Sequence, residues 1–310
     1  MRKNNYPTSL LVVALILLSS ALEPVKAQET SSEGGRERLL ERWIMVEPWE
    51  FDGELPTTHT KHLLGYSWHG ILDEYLSPIS HNGWSVGYRI LQDLPQKDGR
   101  SYHFYQELQL MGGIQKNPAN SFTIYTIGGS HSIGPSWRVI RANNFTLDLG
   151  PLLSLDVQGN TKLSNSNNIG NFKASLGADA WSRAIYTIPT KYYPISISYS
   201  AQLPLMRLAF FPDFGQSYYE YVSGENRSNP KLHFMSWHNS FILRQRLLVE
   251  MPIRNITLNA GVEHSYQTET ASAIHFRQGY FMLVLGISLD HFILTGGKSR
   301  SSQLTNSYYE

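Results

Sequence analysis

Four stretches of the sequence alternate apolar and polar residues with a period of two. In 195–203 the odd positions carry Ile, Ile, Tyr, Ala and Leu, and the even positions carry Ser, Ser, Ser and Gln. The same alternation runs through 145–157, 172–181 and 256–263. Because successive side chains of a β-strand point to opposite faces, this period predicts strands with one apolar and one polar face. The chain must therefore fold so that a whole set of apolar strand faces is removed from water.

The strand pattern continues along most of the chain, and the predicted connections between strands differ in length. Connections after even-numbered strands are fairly short, while several after odd-numbered strands are longer, at 71–81, 159–169 and 205–232. Bacterial outer-membrane barrels combine an even number of strands with short periplasmic turns and long external loops. The pattern therefore predicts an all-β fold, an antiparallel up-and-down transmembrane β-barrel that begins on the periplasmic side. We expect about ten strands, at 58–70, 82–93, 101–114, 119–139, 143–158, 170–188, 194–204, 233–250, 255–270 and 274–291.

Two details of this pattern allow more than one outcome. Twelve strands are possible if 211–221 adds a hairpin. Pro151 lies inside the fifth predicted strand, where a proline removes a hydrogen-bond donor from the ladder and is normally excluded from central strands. We therefore expect a β-bulge at this position, next to Gly150.

The first 27 residues have the layout of a cleavable secretory signal peptide. Arg2 and Lys3 precede the apolar run LLVVALILL, and Val25 and Ala27 occupy the −3 and −1 positions of a small-residue cleavage site. The apolar run is shorter than the roughly 20 residues that a membrane-spanning helix needs. We expect a signal peptide at 1–27, a periplasmic segment at 28–57 with a short helix over 36–45, a barrel at 58–292 and a polar tail at 293–310.

The composition excludes several classes of site and partner. With no cysteine, the chain has no disulfide, no Cys-based metal site and no Cys nucleophile. The formal net charge is +1, so nucleic acid is not an expected partner. Charged residues make up 16% of the chain, against roughly 25% in an ordinary soluble domain, and this low fraction favours a membrane-embedded barrel. The histidines show no metal-ligand spacing, so neither a metal nor another cofactor is expected.

Four sequence blocks carry a resemblance to a known family. They read YLSPISHNGWSVGY, LDLGPLLSLDVQGN, LPLMRLAFFPDFGQSYYE and HFMSWHNSFILRQRLLVEMP, the last followed by NITLNAGVEHS. In order and spacing, over residues 68–289, they resemble an uncharacterised domain-of-unknown-function family of exported outer-membrane β-barrel proteins of Gram-negative bacteria. The resemblance implies an outer-membrane location, with membrane lipid and the barrel insertion machinery as partners. It implies no activity and no catalytic residues.

The polar strand faces carry charged residues that would point into a barrel. In a barrel of about ten strands the interior is narrow, and side chains fill much of it. One interpretation is an internal salt-bridge network that closes the lumen, because buried charges must pair. The alternative is a charged constriction that selects small solutes. The predicted lumen residues are Asp148, Asp156, Lys173, Asp179, Arg183, Arg244, Arg246 and Glu250.

The long predicted connection at 205–232 is rich in aromatic residues. Exposed aromatic side chains on a long loop often serve recognition, so this loop is a candidate surface for an unidentified ligand or partner. Alternatively, the loop folds over the lumen as a plug, or its tyrosines form part of the outer interfacial girdle. The residues concerned are Phe210, Phe211, Phe214, Tyr218, Tyr219 and Tyr221.

Three functions are compatible with these patterns. The leading hypothesis is an outer-membrane barrel that is structural or binds or transports small solutes, with a charged and plugged lumen. The alternative is a soluble periplasmic or secreted lipid-binding β-barrel, in which the polar strand faces meet water. A lipid hydrolase at the external rim would use His238 and Ser240 on one strand face, but no nucleophile-elbow motif accompanies them. No catalytic residue is therefore predicted, and the ligand is unknown.

Overall fold

The described part of the chain consists almost entirely of β-strands. The computed structural model describes residues 55–56, 58–94, 101–165, 169–190, 194–212, 232–253, 256–271, 273–291 and 304–305. Within these ranges the strands are β1 (Leu55–Pro56), β2 (Thr58–Asp73), β3 (Ser77–Leu94), β4 (His103–Lys116), β5 (Thr123–Ala142), β6 (Phe145–Thr161), β7 (Gly170–Ile188), β8 (Ile195–Phe210), β9 (Leu232–Ser236), β10 (Ser240–Ile253), β11 (Ile256–Ala271), β12 (Ile274–His291) and β13 (Leu304–Thr305).

The long strands form one antiparallel sheet that closes on itself. From β2 to β8 each strand pairs with the next, β10 pairs with β11 and β11 with β12, and β12 pairs back with β2. Both β9 and β10 lie along β8, β9 beside 206–210 and β10 beside 196–202. They are therefore two parts of one interrupted strand, and the described sheet is a closed barrel of ten strands, as predicted. The short strands β1 and β13 pair in parallel with each other in a separate sheet.

The two faces of the barrel strands differ as the period of the sequence predicts. In β6, Ser154 is fully buried, whereas its neighbours Leu153 and Leu155 are 57% and 49% exposed. The polar face thus points into the lumen and the apolar face forms the outer wall, because successive side chains of a strand point to opposite sides. No helix long and apolar enough to span a membrane occurs in the part of the chain that the structure describes.

The predicted loop at 71–81 is wrong. The strands β2 and β3 continue toward each other as far as Asp73 and Ser77, and a turn at 74–76 joins them. The backbone N–H of Leu76 donates to the carbonyl of Asp73 at 3.0 Å and closes this turn. Ladder pairing with β12 also continues to Asp73, so the end of β2 keeps its hydrogen-bond partners beyond the predicted strand end.

The expected bulge beside Gly150 is also wrong. The register of β5 and β6 is the same on both sides of Pro151, with Ile133 opposite Leu153 and Trp137 opposite Leu149. This register puts a second proline, at position 135 of β5, opposite Pro151. Because both strands lack a donor at the same place, the ladder is interrupted in phase and needs no extra residue. The register shift between these strands falls instead between positions 138 and 140 of β5.

Several predicted segments lie outside the described residues. They are the signal peptide at 1–27, the segment at 28–57 apart from β1, its helix over 36–45, and the tail at 293–310 apart from β13. Residues 213–231 also lie outside, so a further hairpin at 211–221 stays a prediction.

Candidate functional site

Every charged residue predicted to point into the barrel faces the lumen, and each forms an ion pair there. In each of these pairs the two residues lie on different strands, so the pairs link neighbouring strands or reach across part of the lumen. The pairs are Asp148–Arg183, Asp156–Arg244, Lys173–Glu269, Asp179–Arg207, Arg246–Glu263 and Glu250–Lys61. They lie at different heights in the barrel, whose lower end is the end where β2 begins and whose upper end is the end where β2 stops.

Arg183 is the centre of a cluster near the lower end. Its two Nη atoms donate to the two carboxylate oxygens of Asp93 at 2.8 and 2.7 Å, and Nη2 also donates to Asp148 at 2.9 Å. Arg138 donates to the other oxygen of Asp148 at 3.0 Å. A two-pronged contact between arginine and a carboxylate is the strong form of charge-assisted hydrogen bond. The cluster therefore ties β3, β5, β6 and β7 together.

A second pair near the lower end joins β2 and β10, which are not neighbours in the sheet. Lys61 Nζ donates to Glu250 Oε1 at 2.5 Å, and both side chains are almost completely buried. The hydroxyl of Ser198, on β8, donates to the same carboxylate oxygen at 3.3 Å. Since the strands that carry Lys61 and Glu250 are separated by two others in the barrel order, this contact spans the lumen.

A third cluster lies in the middle of the lumen around Glu263. This carboxylate accepts hydrogen bonds from Arg89 at 2.9 Å, from the hydroxyl of Tyr280 at 2.7 Å and from Arg246 at 3.2 Å. Arg246 also donates to Glu107. Two arginines and two glutamates thus balance each other, which is the condition under which buried charge is tolerated.

A fourth cluster occupies the side of the lumen formed by β6, β7, β8 and β10. Asp156 accepts from Arg207 at 2.5 Å and from Arg244 at 2.6 Å. Arg207 also lies 3.4 Å from Asp179, whose carboxylate accepts from Gln202 at 2.5 Å. Together the four clusters occupy the lower and middle lumen with ionic contacts that join strands around the barrel.

The upper end of the lumen has a different lining. Lys173 is 6% exposed, and its Nζ lies 3.9 Å from Glu269 Oε2, beyond hydrogen-bond distance. Among the described residues this Nζ has no hydrogen-bond partner. The ammonium group instead lies against the ring of Phe276 and 5.1 Å from the centre of the Phe211 ring. These rings belong to a buried apolar layer made of Ile71, Ile124, Ala209, Phe211, Met235, Ala271 and Phe276.

A cavity of about 60 Å³ lies beside Lys173. The volume is enough for a few water molecules, and its polar lining is the kind that retains them. Amide, hydroxyl and guanidinium groups could equally hold a small polar solute. Within the described residues no group of three or more His, Asp or Glu side chains is arranged to hold a metal ion. The cavity lining includes Gln109, Ser130, Gln158, Arg244, Gln267 and Gln278.

The predicted aromatic loop is described only at its start. Phe211 is 2% exposed and belongs to the apolar layer inside the upper end, whereas Phe210 still lies in β8, with its ring centre 6.4 Å from that of Phe172. The start of the predicted ligand or plug loop is therefore not a loop. Phe210 belongs to a barrel strand, and Phe211 fills part of the upper lumen. The other predicted residues, Phe214, Tyr218, Tyr219 and Tyr221, lie outside the described residues.

His238 and Ser240 do not share a face, contrary to the expectation for one continuous strand. Residues 237–239 form a turn between β9 and β10, which resets the alternation. Ser240 is 8% exposed, whereas His238 is exposed and its Nδ1 lies 2.7 Å from the hydroxyl of Ser236. The two residues considered together in the sequence are therefore separated by the strand break.

The sequence-based set of lumen residues omitted most of the partners. Each partner occupies a lumen-facing position of its strand, so the same period-of-two rule could have found it. Glu263, for example, falls on the polar side of the alternating stretch 256–263. The first two barrel strands alternate less clearly, which concealed Lys61, Arg89 and Asp93. Arg207 lies beyond the predicted end of its strand at 204. The omitted residues are Lys61, Arg89, Asp93, Glu107, Arg207, Glu263 and Glu269.

Several solved structures of bacterial outer-membrane and autotransporter proteins resemble this fold. The outer membrane protease OmpT from Escherichia coli matches with a TM-score of 0.40 and 7% identity, covering 79% of this chain and 99% of that chain. The translocator domain of the autotransporter NalP from Neisseria meningitidis matches with a TM-score of 0.38 and 9% identity, covering 82% and 94%. The transport unit of the autotransporter AIDA-I from Escherichia coli matches with a TM-score of 0.38 and 7% identity, covering 84% and 97%. No curated protein matches the sequence.

The sequence blocks that resemble a family of unknown function are matched by a family model. The model covers residues 11–299, which is nearly the whole chain, and its description is "Protein of unknown function (DUF3316)". The match confirms the resemblance predicted from the sequence blocks. The chain belongs to the DUF3316 family.

Proposed function

We propose that this protein is an integral β-barrel of a bacterial outer membrane whose lumen is sealed, so that it does not act as an open diffusion pore. The observation that carries the proposal is the distribution of charge on the barrel strands. Ion pairs occupy the lumen, and apolar side chains cover the outer wall. This arrangement suits a barrel whose outside is lipid and whose inside is closed.

The outer wall supports insertion into a bilayer. Exposed apolar side chains occur on strands around the sheet, such as Ile127 at 72%, Leu153 at 57% and Leu285 at 68%. Soluble proteins rarely expose contiguous apolar patches larger than a few hundred Å². Along β12 the outward-facing apolar positions run from Phe281 to Leu289, about nine residues, which approaches the 9–11 residues of a tilted transmembrane strand.

Aromatic residues toward both ends of the outer wall also support insertion of the barrel into a bilayer. Toward the upper end, Tyr66 stacks on Trp84 with ring centres 6.2 Å apart. Toward the lower end, Tyr102 contacts Trp137 with ring centres 5.8 Å apart. Two aromatic girdles on either side of an apolar band are typical of outer-membrane barrels.

The sealed lumen favours a structural or solute-holding role over free diffusion. Its ion pairs, such as Arg89 with Glu263, are buried and paired on several sides. Within the described residues, the cavity beside Lys173 at the upper end has a polar lining that suits a small polar solute. A soluble barrel that binds lipid inside would need an apolar interior, and the charged lumen does not support that alternative.

Cell fractionation tests the membrane location. We expect the mature protein in the outer-membrane fraction, extracted by detergent and not by salt or alkaline carbonate. On gels, the unheated sample should migrate faster than the boiled one, because a closed barrel resists unfolding by SDS. Recovery in the soluble periplasmic fraction without detergent would overturn the proposal.

Planar-bilayer recording tests the sealed lumen. We expect the purified barrel to give no steady current in simple salt. A matched variant, Glu263→Gln with Arg246→Gln, removes two members of the central cluster and should give brief openings. A steady ohmic current from the unaltered protein would contradict closure by these ion pairs.

One local observation favours the lipid-hydrolase alternative, namely the contact between the hydroxyl of Ser236 and the ring of His238. Serine and histidine two residues apart also form such contacts in ordinary turns, and Asn239 Oδ1 completes this turn by accepting a hydrogen bond from the backbone N–H of Ser236 at 2.9 Å. We therefore propose a structural role for the pair and no enzymatic activity. Phospholipid turnover by the purified barrel that is lost in both His238→Ala and Ser236→Ala would reverse this assignment.

A further inference from the structure

Two glycines lie opposite each other on the outer wall near the upper end. Gly70 of β2 and Gly279 of β12 are register partners, and both occupy outward-facing positions. Two adjacent positions without side chains leave a groove in the wall. The groove has a volume of about 190 Å³.

The order of residues along the two strands gives the depth of this groove in a bilayer. Moving toward the upper end, the outward positions of β12 read Leu283, Phe281, Gly279 and then Arg277. Apolar residues therefore come first, an aromatic ring next, the glycine gap after it, and the cation last. This sequence matches the passage from hydrocarbon through the interface to the headgroup region.

The neighbouring strand β2 repeats the first three steps of this order, and its next outward residue, the register partner of Arg277, is Leu72. Its outward positions read Leu64, Tyr66, Trp68 and then Gly70. Trp68 lies beside Phe281 with ring centres 6.5 Å apart. The aromatic rings of the two strands thus lie on the outer wall directly below the two glycines.

Polar side chains surround the groove, and no carboxylate lies among its described lining residues. Arg277 is exposed at the upper rim. Asn82, the register partner of Gly70, has its side-chain oxygen over the space above that glycine. Ser80 and Tyr266 add hydroxyl groups. A guanidinium group with neighbouring hydroxyl groups can donate hydrogen bonds to the oxygens of a phosphate.

We propose that this groove binds the phosphate of a membrane-lipid headgroup, with Arg277 as its principal contact and an acyl chain running down the outer wall over the aromatic rings below the groove. The inference rests on the proposed membrane location. The missing side chains at Gly70 and Gly279 make room for the headgroup, and Arg277 supplies the charge. The location of the cation above the aromatic residues selects a lipid over a free anion, because the phosphate of a lipid is held at that depth by its own chains.

Native mass spectrometry of the purified barrel in neutral detergent tests the proposal. The protein is titrated with phosphatidylglycerol or with diacylglycerol, which has the same chains and no phosphate. We expect phosphatidylglycerol to bind more tightly than diacylglycerol. Arg277→Ala should weaken the binding of the first phosphatidylglycerol molecule about tenfold, the effect of losing one charge-assisted contact. Arg141→Ala removes an exposed arginine near the lower end and should leave the binding unchanged.

Filling the groove gives an independent test. A Cβ at Gly279 would meet its nearest atoms at 3.5 Å and 3.7 Å, which is ordinary contact, so Gly279→Leu should fold and occupy the space. A Cβ at Gly159, on the outer wall of β6, would likewise meet its nearest atom at 3.7 Å. We expect Gly279→Leu to weaken phosphatidylglycerol binding at least fivefold and Gly159→Leu to have no effect.

Three results would overturn the inference. They are equal binding of diacylglycerol, unchanged affinity in both Arg277→Ala and Gly279→Leu, and displacement of the lipid by excess inorganic phosphate, which would assign the site to a free anion. Failure here is distinguishable from failure of the membrane proposal, because fractionation and heat-modifiable migration report insertion without reference to this groove.

Discussion

The lumen is closed differently in its lower and upper parts. In the lower and middle parts, charged side chains from separate strands meet in pairs such as Arg183 with Asp93, at 2.7 and 2.8 Å. In the upper part, the rings of Phe211 and Phe276 belong to an apolar layer, and the ion pair between Lys173 and Glu269 is 3.9 Å long. One closure depends on paired charge, and the other depends mainly on packing.

This difference predicts different responses to substitution. Removing one member of a buried ion pair leaves the other charge unpaired in a medium that solvates it poorly. Removing a side chain from the apolar layer leaves a space that water from the polar cavity beside Lys173 can enter. The lower and middle parts of the lumen should therefore be more sensitive than the upper part, even though all are buried.

The largest effect is expected for Glu263→Gln. The substitution leaves Arg89 and Arg246 with one carboxylate, Glu107, in the central cluster. We expect the free energy of unfolding to fall by about 3–5 kcal/mol, the range for breaking a buried ion pair from one side. Urea unfolding in lipid vesicles, followed by tryptophan fluorescence, measures the change. A loss below about 1 kcal/mol would mean that the cluster is well hydrated and not part of a closure.

A smaller effect is expected for Phe276→Ala in the apolar layer. We expect a loss of about 3 kcal/mol, the low end of the range for buried phenylalanine, because the cavity beside Lys173 can extend into the vacated space. Phe281→Ala, on the lipid-facing wall, is the matched control and should lose less. Phe276→Ala should also stay silent in planar bilayers, and a steady current would show that the apolar layer alone seals the lumen.

A still smaller loss of stability is expected for Glu269→Gln. Its partner Lys173 is not hydrogen-bonded to it and lies beside the polar cavity, where water can solvate the ammonium group. We expect a loss of about 1–2 kcal/mol, the penalty of a partly satisfied buried group. The same unfolding measurement applies. A loss equal to that of Glu263→Gln would remove the distinction between the two parts of the lumen.

The smallest effect is expected when both members of the upper pair are replaced. Lys173→Met with Glu269→Gln removes two opposite charges while keeping similar volumes, and such replacements are often neutral. We expect the free energy of unfolding of this double variant to lie within about 1 kcal/mol of that of the unaltered protein. The matched double variant of the lower part, Lys61→Met with Glu250→Gln, loses a 2.5 Å contact across the lumen and should be the less stable of the two.

Much of the fold was predictable because the alternation of residues is local. The segment around Ser154 shows which side faces the lumen without knowledge of any neighbouring strand. Strand ends were less predictable, as the turn at 74–76 shows, because ladder pairing with β3 and β12 carries β2 beyond its alternating stretch. The interruption at Pro151 depended on a second proline that only the register of β5 and β6 brings opposite to it.

The sequence by itself determined the class of fold, the lumen face of the strands that alternate clearly and the presence of charge on that face. The tertiary structure alone decided which charges meet, such as Arg89 with Glu263, which are 174 residues apart in the chain. It also decided that Gly70 and Gly279 lie side by side to form a groove. The physical reason is that the period of a strand is set by its own residues, whereas the partners across a barrel depend on the closure and stagger of all its strands.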